Sequence, residues 1–132
     1  MYTYLFSLLL CSVFPASADE VEKVLFLVVE AGEVIASNTQ AGRFDSLPLS
    51  AKERIIDYKV GNAVAVVVTN QRFAAYGVLP GGWQSLRREA GEEAVSIEVE
   101  DYSAQVLTND RVLGFYGRTG AWTQTRRGVQ FR

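Results

Sequence analysis

AVVVTNQRFAAYGVLPGGWQSLRR, residues 65–88, falls in register on AQVLTNDRVLGFYGRTGAWTQTRR, residues 104–127, without a gap. Nine of the 24 pairs are identical, among them Thr69/Thr108, Asn70/Asn109, Arg72/Arg111, Gly81/Gly120 and Trp83/Trp122. Arg87/Arg126 and Arg88/Arg127 close both stretches. Phe44 lies a further 39 residues upstream of Trp83 and carries the register into a third copy. A fixed period near 40 residues marks a repeat architecture in which each unit buries its apolar face against the next.

Within each copy the pattern is β. Residues 63–68 (AVAVVV) are a continuous apolar run rich in β-branched side chains, as expected of a strand buried on both faces. Asn70-Gln71, like Asn109-Asp110 one period later, makes a two-residue turn, and Asn tolerates the positive φ of tight hairpins. A second strand over residues 72–76 ends at the bend Pro80-Gly81-Gly82, and Trp83 opens a third. In residues 94–99, Val95, Ile97 and Val99 alternate with Ser96, Glu98 and Glu100, which gives a fourth strand one wet face.

On this register the first copy has strands at residues 26–29, at 34–36 and at Phe44, and residues 54–60 supply its fourth. The repeats then run over about 26–64, 65–103 and 104–132, four strands per 39 residues, within one domain at 19–132. The last copy stops near Phe131 without its fourth strand, and residues 19–24 are placed to supply it and close that edge.

The string VLTNDRVLGFYGRTGAWTQ, residues 106–124, resembles a β-propeller blade of the quinoprotein or kelch-like sort. The resemblance lies in an apolar strand, a tight hairpin, a second strand ending near Thr-Gly and a Trp opening the third. It implies an all-β fold of propeller-like blades. It carries over no cofactor residue, so no cofactor is expected. Propellers usually have about four to eight blades, so three do not easily close a ring; two chains, as a homodimer, would supply six. The alternative is a β-trefoil, which builds three such units in a single chain.

Residues 1–14 (MYTYLFSLLLCSVF) contain no charged side chain and are followed by Pro15-Ala16-Ser17-Ala18. An apolar stretch ending in an A-x-A-like triplet reads as a secretory signal peptide over 1–18, leaving no membrane span after cleavage. The expected compartment is periplasmic or secreted, with a lipoprotein anchored at Cys11 as the alternative. Beyond residue 18 there is no cysteine, so disulfide and thiolate chemistry are excluded there. Thirteen basic residues against fifteen acidic ones give no basic excess, which argues against a nucleic-acid partner.

The chain has no histidine, which removes the commonest general base, the commonest metal ligand and every Ser-His or Cys-His nucleophile arrangement. A metal site would rest on carboxylates alone, and Glu98, Glu100 and Asp101 lack the spacing of a calcium loop. Glu92 and Glu93 are expected in a surface loop, Glu98 and Glu100 on a solvated strand face, and neither pair reads as an acid/base couple. Arg72 and Arg111 follow the hairpin turns and are expected to face solvent or to pair with Asp110.

The remaining candidates are the repeated residues themselves. Trp83 and Trp122 either pack between units or offer stacking platforms for sugar rings. Arg87, Arg88, Arg126 and Arg127 either cap solvated strand ends or form an anion-binding patch. Together these residues point to a non-enzymatic binding or protein-interaction module with a protein partner; a carbohydrate-binding, lectin-like module with a glycan partner is the alternative.

Overall fold

The computed structural model describes residues 21–128, and every regular element in that span is a strand. A first sheet holds β1 (Leu25–Glu30), β2 (Glu33–Asn38) and β3 (Arg43–Pro48). A second holds β4 (Ile55–Val60), β5 (Val64–Thr69), β6 (Arg72–Gly77) and β7 (Trp83–Arg87). A third holds β8 (Ala94–Val99), β9 (Ser103–Thr108), β10 (Arg111–Tyr116) and β11 (Ala121–Arg126).

All pairings are antiparallel between strands adjacent in sequence, and no strand pairs with a strand of another sheet. That separation distinguishes blades from a β-trefoil, whose barrel needs strands of different units hydrogen-bonded together. The all-β, propeller-like expectation holds, and the trefoil alternative falls.

The cut between units differs from the sequence register. Residues 55–60 do not close the first sheet; as β4 they open the second. The reason is connection length. Three residues join β4 to β5, and the Gly61 amide donates to the Val64 carbonyl across that turn at 2.7 Å. The link from β3 to β4 spans residues 49–54 and crosses between sheets. A short link favours an antiparallel neighbour, whereas the longer one is free to step to the next layer.

It follows that the third sheet is complete with four strands, and the three-stranded sheet, among the described residues, is the first. Residues 21–24 do not reach the carboxyl end. The Val24 amide donates to Asn62 at 3.0 Å and its carbonyl accepts from Thr39 at 2.9 Å, beside the first and second sheets. The signal-peptide and Cys11 expectations lie outside the described residues.

The second sheet is the middle layer, and every residue of β5 is buried. Val64, Val66, Val68, Phe73 and Ala75 meet Ile97, Ala104, Val106, Leu113 and Phe115 of the third sheet. On the opposite face Ala65 and Tyr76 meet Leu25 and Ala36, while Val67 and Ala74 meet Val34 and Leu47. The unbroken apolar run therefore reflects cover on both sides.

Register shifts at Ile55/Asp57 and Ala94/Ser96, one period apart, bulge β4 and β8 and push Ile56 and Val95 to the surface. The bulge breaks the alternation expected for Val95. Gly42, Gly81 and Gly120 all have φ between 69° and 75°, at the same turn of the three repeats. L side chains rarely adopt that conformation.

Candidate functional site

The repeated residues converge on the two junctions between sheets. In the turn from β5 to β6, the Thr69 hydroxyl accepts from the Gln71 and Arg72 amides, both at 3.0 Å, and donates to Glu53 Oε2 at 2.7 Å. Arg72 Nε donates to the same carboxylate at 2.7 Å, and its Nη2 reaches Oε1 at 3.1 Å and the Pro48 carbonyl at 2.7 Å. One period on, Thr108 donates to Glu92 at 2.7 Å, and Arg111 holds Glu92 through Nε at 2.9 Å and Nη2 at 2.7 Å. Arg111 Nη2 also reaches the Arg87 carbonyl at 3.2 Å.

These triads correct two expectations. Arg111 is buried and Arg72 half-buried, and each pairs with a carboxylate of the preceding loop, not with solvent or Asp110. Glu92 is not a surface residue; it is wholly buried. Burial by itself would push its carboxyl up, but hydrogen bonds from Arg111, Thr108 and the Glu89 amide hold it down at about 2. Glu53 is lowered against the same burial by Arg72, Thr69 and the Ser50 amide. The charges are fixed as bidentate, hydrogen-bonded pairs, which is how an ion pair tolerates desolvation.

Asn70 and Asn109 do turn the chain, but their side chains act on the loop before. The Asn70 amide group accepts from the Arg54 N–H at 2.8 Å and donates to Lys52 at 3.0 Å. Asn109 repeats both bonds to Glu93 and Gly91.

Trp83 and Trp122 are interlayer clamps. Trp83 Nε1 donates to the Asp45 carbonyl of the first sheet at 3.1 Å, and Trp122 Nε1 donates to the Gln84 carbonyl of the second at 3.0 Å. Each ring leans on its cross-strand neighbour, Tyr76 or Phe115, with centroids 5.3 and 5.2 Å apart. Phe44 holds the same register but is 73% exposed.

The four arginines do not form one patch. Arg88 is drawn to the carbonyls of Asn70 and Glu92, the former at 2.7 Å. Arg127 reaches the Thr108 carbonyl at 3.0 Å. Arg126 forks onto Glu89 at 2.7 and 2.8 Å, and holds that carboxyl below its usual range. Arg87 is exposed, and its guanidinium makes no hydrogen bond or ion pair among the described residues. It borders a groove of about 590 Å³ at the first junction, with Leu49, Ser50, Arg72 and Ser85.

Glu98 and Glu100 are exposed, and Asp101 accepts a bond from Asn62 at 2.8 Å. Among the described residues, no group of three acidic side chains is arranged around a metal site, and no helix is long and apolar enough to cross a membrane. Sequence reasoning missed Glu53 and the turn glycine Gly42. Both were within reach, since Glu53 precedes Glu92, and Gly42 precedes Gly81, by one 39-residue period.

The sequence matches no protein-family model and no curated protein. Among solved structures it is similar to the N-terminal domain of Nup159, with a TM-score of 0.47 and 15% identity, over 83% of this chain and 29% of that one. It is also similar to a chain of an S. cerevisiae assembly of Dbp5 bound to Nup159, Gle1, IP6 and ADP, with a TM-score of 0.46 and 15% identity, over 79% of this chain and 28% of that one. The chain thus spans less than a third of the length of either.

Proposed function

We propose that this chain is a non-enzymatic, exported binding module that contacts another protein through the open face of its first sheet. One observation carries this reading. Phe26, Val28 and Phe44 are 46%, 45% and 73% exposed on one face, whereas the corresponding face of the second sheet is packed. Apolar side chains clustered on a β face are a mark of an interaction surface. The outer face of β9 offers Ser103 and Gln105 instead, so the two ends of the stack differ in chemistry.

Export is supported by the uncharged apolar run of residues 1–14 and the small-residue stretch that follows it. The glycan-stacking alternative rested on Trp83 and Trp122. Both indoles are half-buried and hydrogen-bonded at junctions, which favours the protein-contact reading.

The test is site-specific photo-crosslinking in the cell envelope, with the reactive group placed at Phe44 or, as a control, at Thr123 on the outer face of the third sheet. Adducts with protein from position 44 and none from 123 are expected. Equal labelling from both positions, or none from 44, would sink the reading.

A further inference from the structure

The second junction serves as an internal reference for the first. At the second junction Glu89 sits at the start of the crossing loop, where its amide donates to Glu92 Oε1 at 3.0 Å. Its carboxylate lies in the fork of Arg126 at 2.7 and 2.8 Å, and 3.9 Å from Arg111 Nη1. Gln124, exposed on β11, accepts from Arg111 Nη1 at 2.7 Å.

At the first junction every backbone position has its counterpart. The Ser50 amide donates to Glu53 Oε1 at 3.1 Å, as the Glu89 amide does to Glu92. Arg87 pairs across strands with Arg72, as Arg126 does with Arg111. The side chains differ. Ser50 stands in the place of Glu89, and Ser85 in the place of Gln124. The fork of Arg87 remains, and the carboxylate it would hold is missing.

Size and charge agree on the consequence. With two short serines in place of Glu89 and Gln124, the volume their side chains would take belongs to the groove of about 590 Å³, and Arg72 is 26% exposed where Arg111 is 4%. The second junction balances Glu89 and Glu92 against Arg111 and Arg126. The first has Glu53 against Arg72 and Arg87, one negative charge short. A guanidinium fork over a groove of this size suits a small group that is planar, anionic and bidentate.

We propose that the groove between the first and second sheets binds a carboxylate, presented by an acidic side chain or a chain terminus of a peptide. The carboxylate takes the position that Glu89 holds in the second junction, between Arg87 and Arg72, with Pro48 and Leu49 along its aliphatic stem. This groove opens at the Ser50 and Arg87 end of the junction and is separate from the apolar face carrying Phe44.

The test is titration of the full chain followed by the NMR signals of the Arg87 Nε–H and the Ser50 amide. Two probes separate the sources: N-acetylglutamic acid α-amide offers a side-chain carboxylate, and N-acetylglycylalanine a terminal one. Saturable shifts at Arg87 and Ser50 are expected with at least one probe, while the Arg126 Nε–H stays still. Ser50→Glu supplies the carboxylate within the chain and should weaken probe binding about tenfold or more, as should Arg87→Gln. Arg87→Gln keeps the readout available if Ser50→Glu fails to fold, because Arg87 is exposed. The proposal is overturned by still signals at Arg87 with both probes, by undiminished binding in Arg87→Gln, or by inorganic phosphate binding as tightly as the carboxylates.

Discussion

The two junctions share a backbone plan and differ in how completely their side chains close it. At the second, Glu92 is wholly buried, Arg111 nearly so, and Gln124 and the Glu89–Arg126 pair seal the outside. At the first, the same carboxylate–arginine pair, with Glu53 buried and Arg72 half-buried, sits beneath an open groove because serines replace the sealing residues. The lesson is that the repeat separates two tasks. Glu53, Thr69 and Arg72, like Glu92, Thr108 and Arg111, hold successive sheets together; the residues around them decide whether the junction is closed or available.

The largest effect expected from that comparison comes from removing the buried carboxylates. Glu92→Ala removes the bidentate partner of the buried Arg111, leaving it only the more distant Glu89 carboxylate at 3.9 Å, and should cost about 3–5 kcal/mol, measured by urea unfolding. Glu53→Ala should cost distinctly less, because Arg72 is 26% exposed and recovers water through the groove. Equal losses would break the distinction between a closed and an open junction.

Gly77→Ala probes the close approach of the second and third sheets. A Cβ at Gly77 would lie 2.4 Å from the Gly117 carbonyl oxygen, so backbone must move, at a cost of about 1–3 kcal/mol. An unchanged melting temperature would mean that the sheets are not held this tightly.

The clamps come next. Trp122→Phe and Trp83→Phe each remove one indole hydrogen bond between sheets and should each cost about 0.5–1.5 kcal/mol beyond lost packing. Phe44→Ala should change stability least of the three, since its ring is 73% exposed. A larger loss at Phe44 in the purified chain would mean that its face is covered.

Acid titration gives the gentlest probe. The Glu92 carboxyl has a folded value of about 2, below its ordinary 4.5, so its stabilisation is fully present above pH about 4.5 and is lost as pH falls towards 2. Glu53, also lowered, contributes with the same sign. The melting temperature of Glu92→Gln should therefore fall less steeply over that window than that of the unaltered chain. Parallel curves would remove Glu92 from the account.

Much of this was legible in the chain. The 39-residue register identifies the clamp tryptophans, the turn threonines and the turn glycines, because each answers a local need that recurs at every junction. The run from residue 63 to 68 announces a strand covered on both faces, and β5 is one. Arg72 and Arg111 were visible as a repeated pair, and Glu53 and Glu92 fall on the same period, but the pairing between the two sets was not. Glu53 and Glu92 lie 19 residues before them, across two strands, and a surface loop is the ordinary home of a glutamate.

What the sequence alone determined is the repeat: its period, its strands and the residues each unit spends on its neighbours, since these follow from local geometry and patterning. Only the tertiary structure decided the phase of the sheets, because connection length, not register, chooses whether a strand pairs forward or back. It also decided which apolar strands are covered. β1 (LFLVVE) reads as apolar as β5 (VAVVVT), yet Phe26 and Val28 are exposed, because β5 lies between two layers and β1 has a described layer on one side alone. The groove at Arg87 is tertiary for the same reason: it exists in what two serines of different loops and strands leave unfilled.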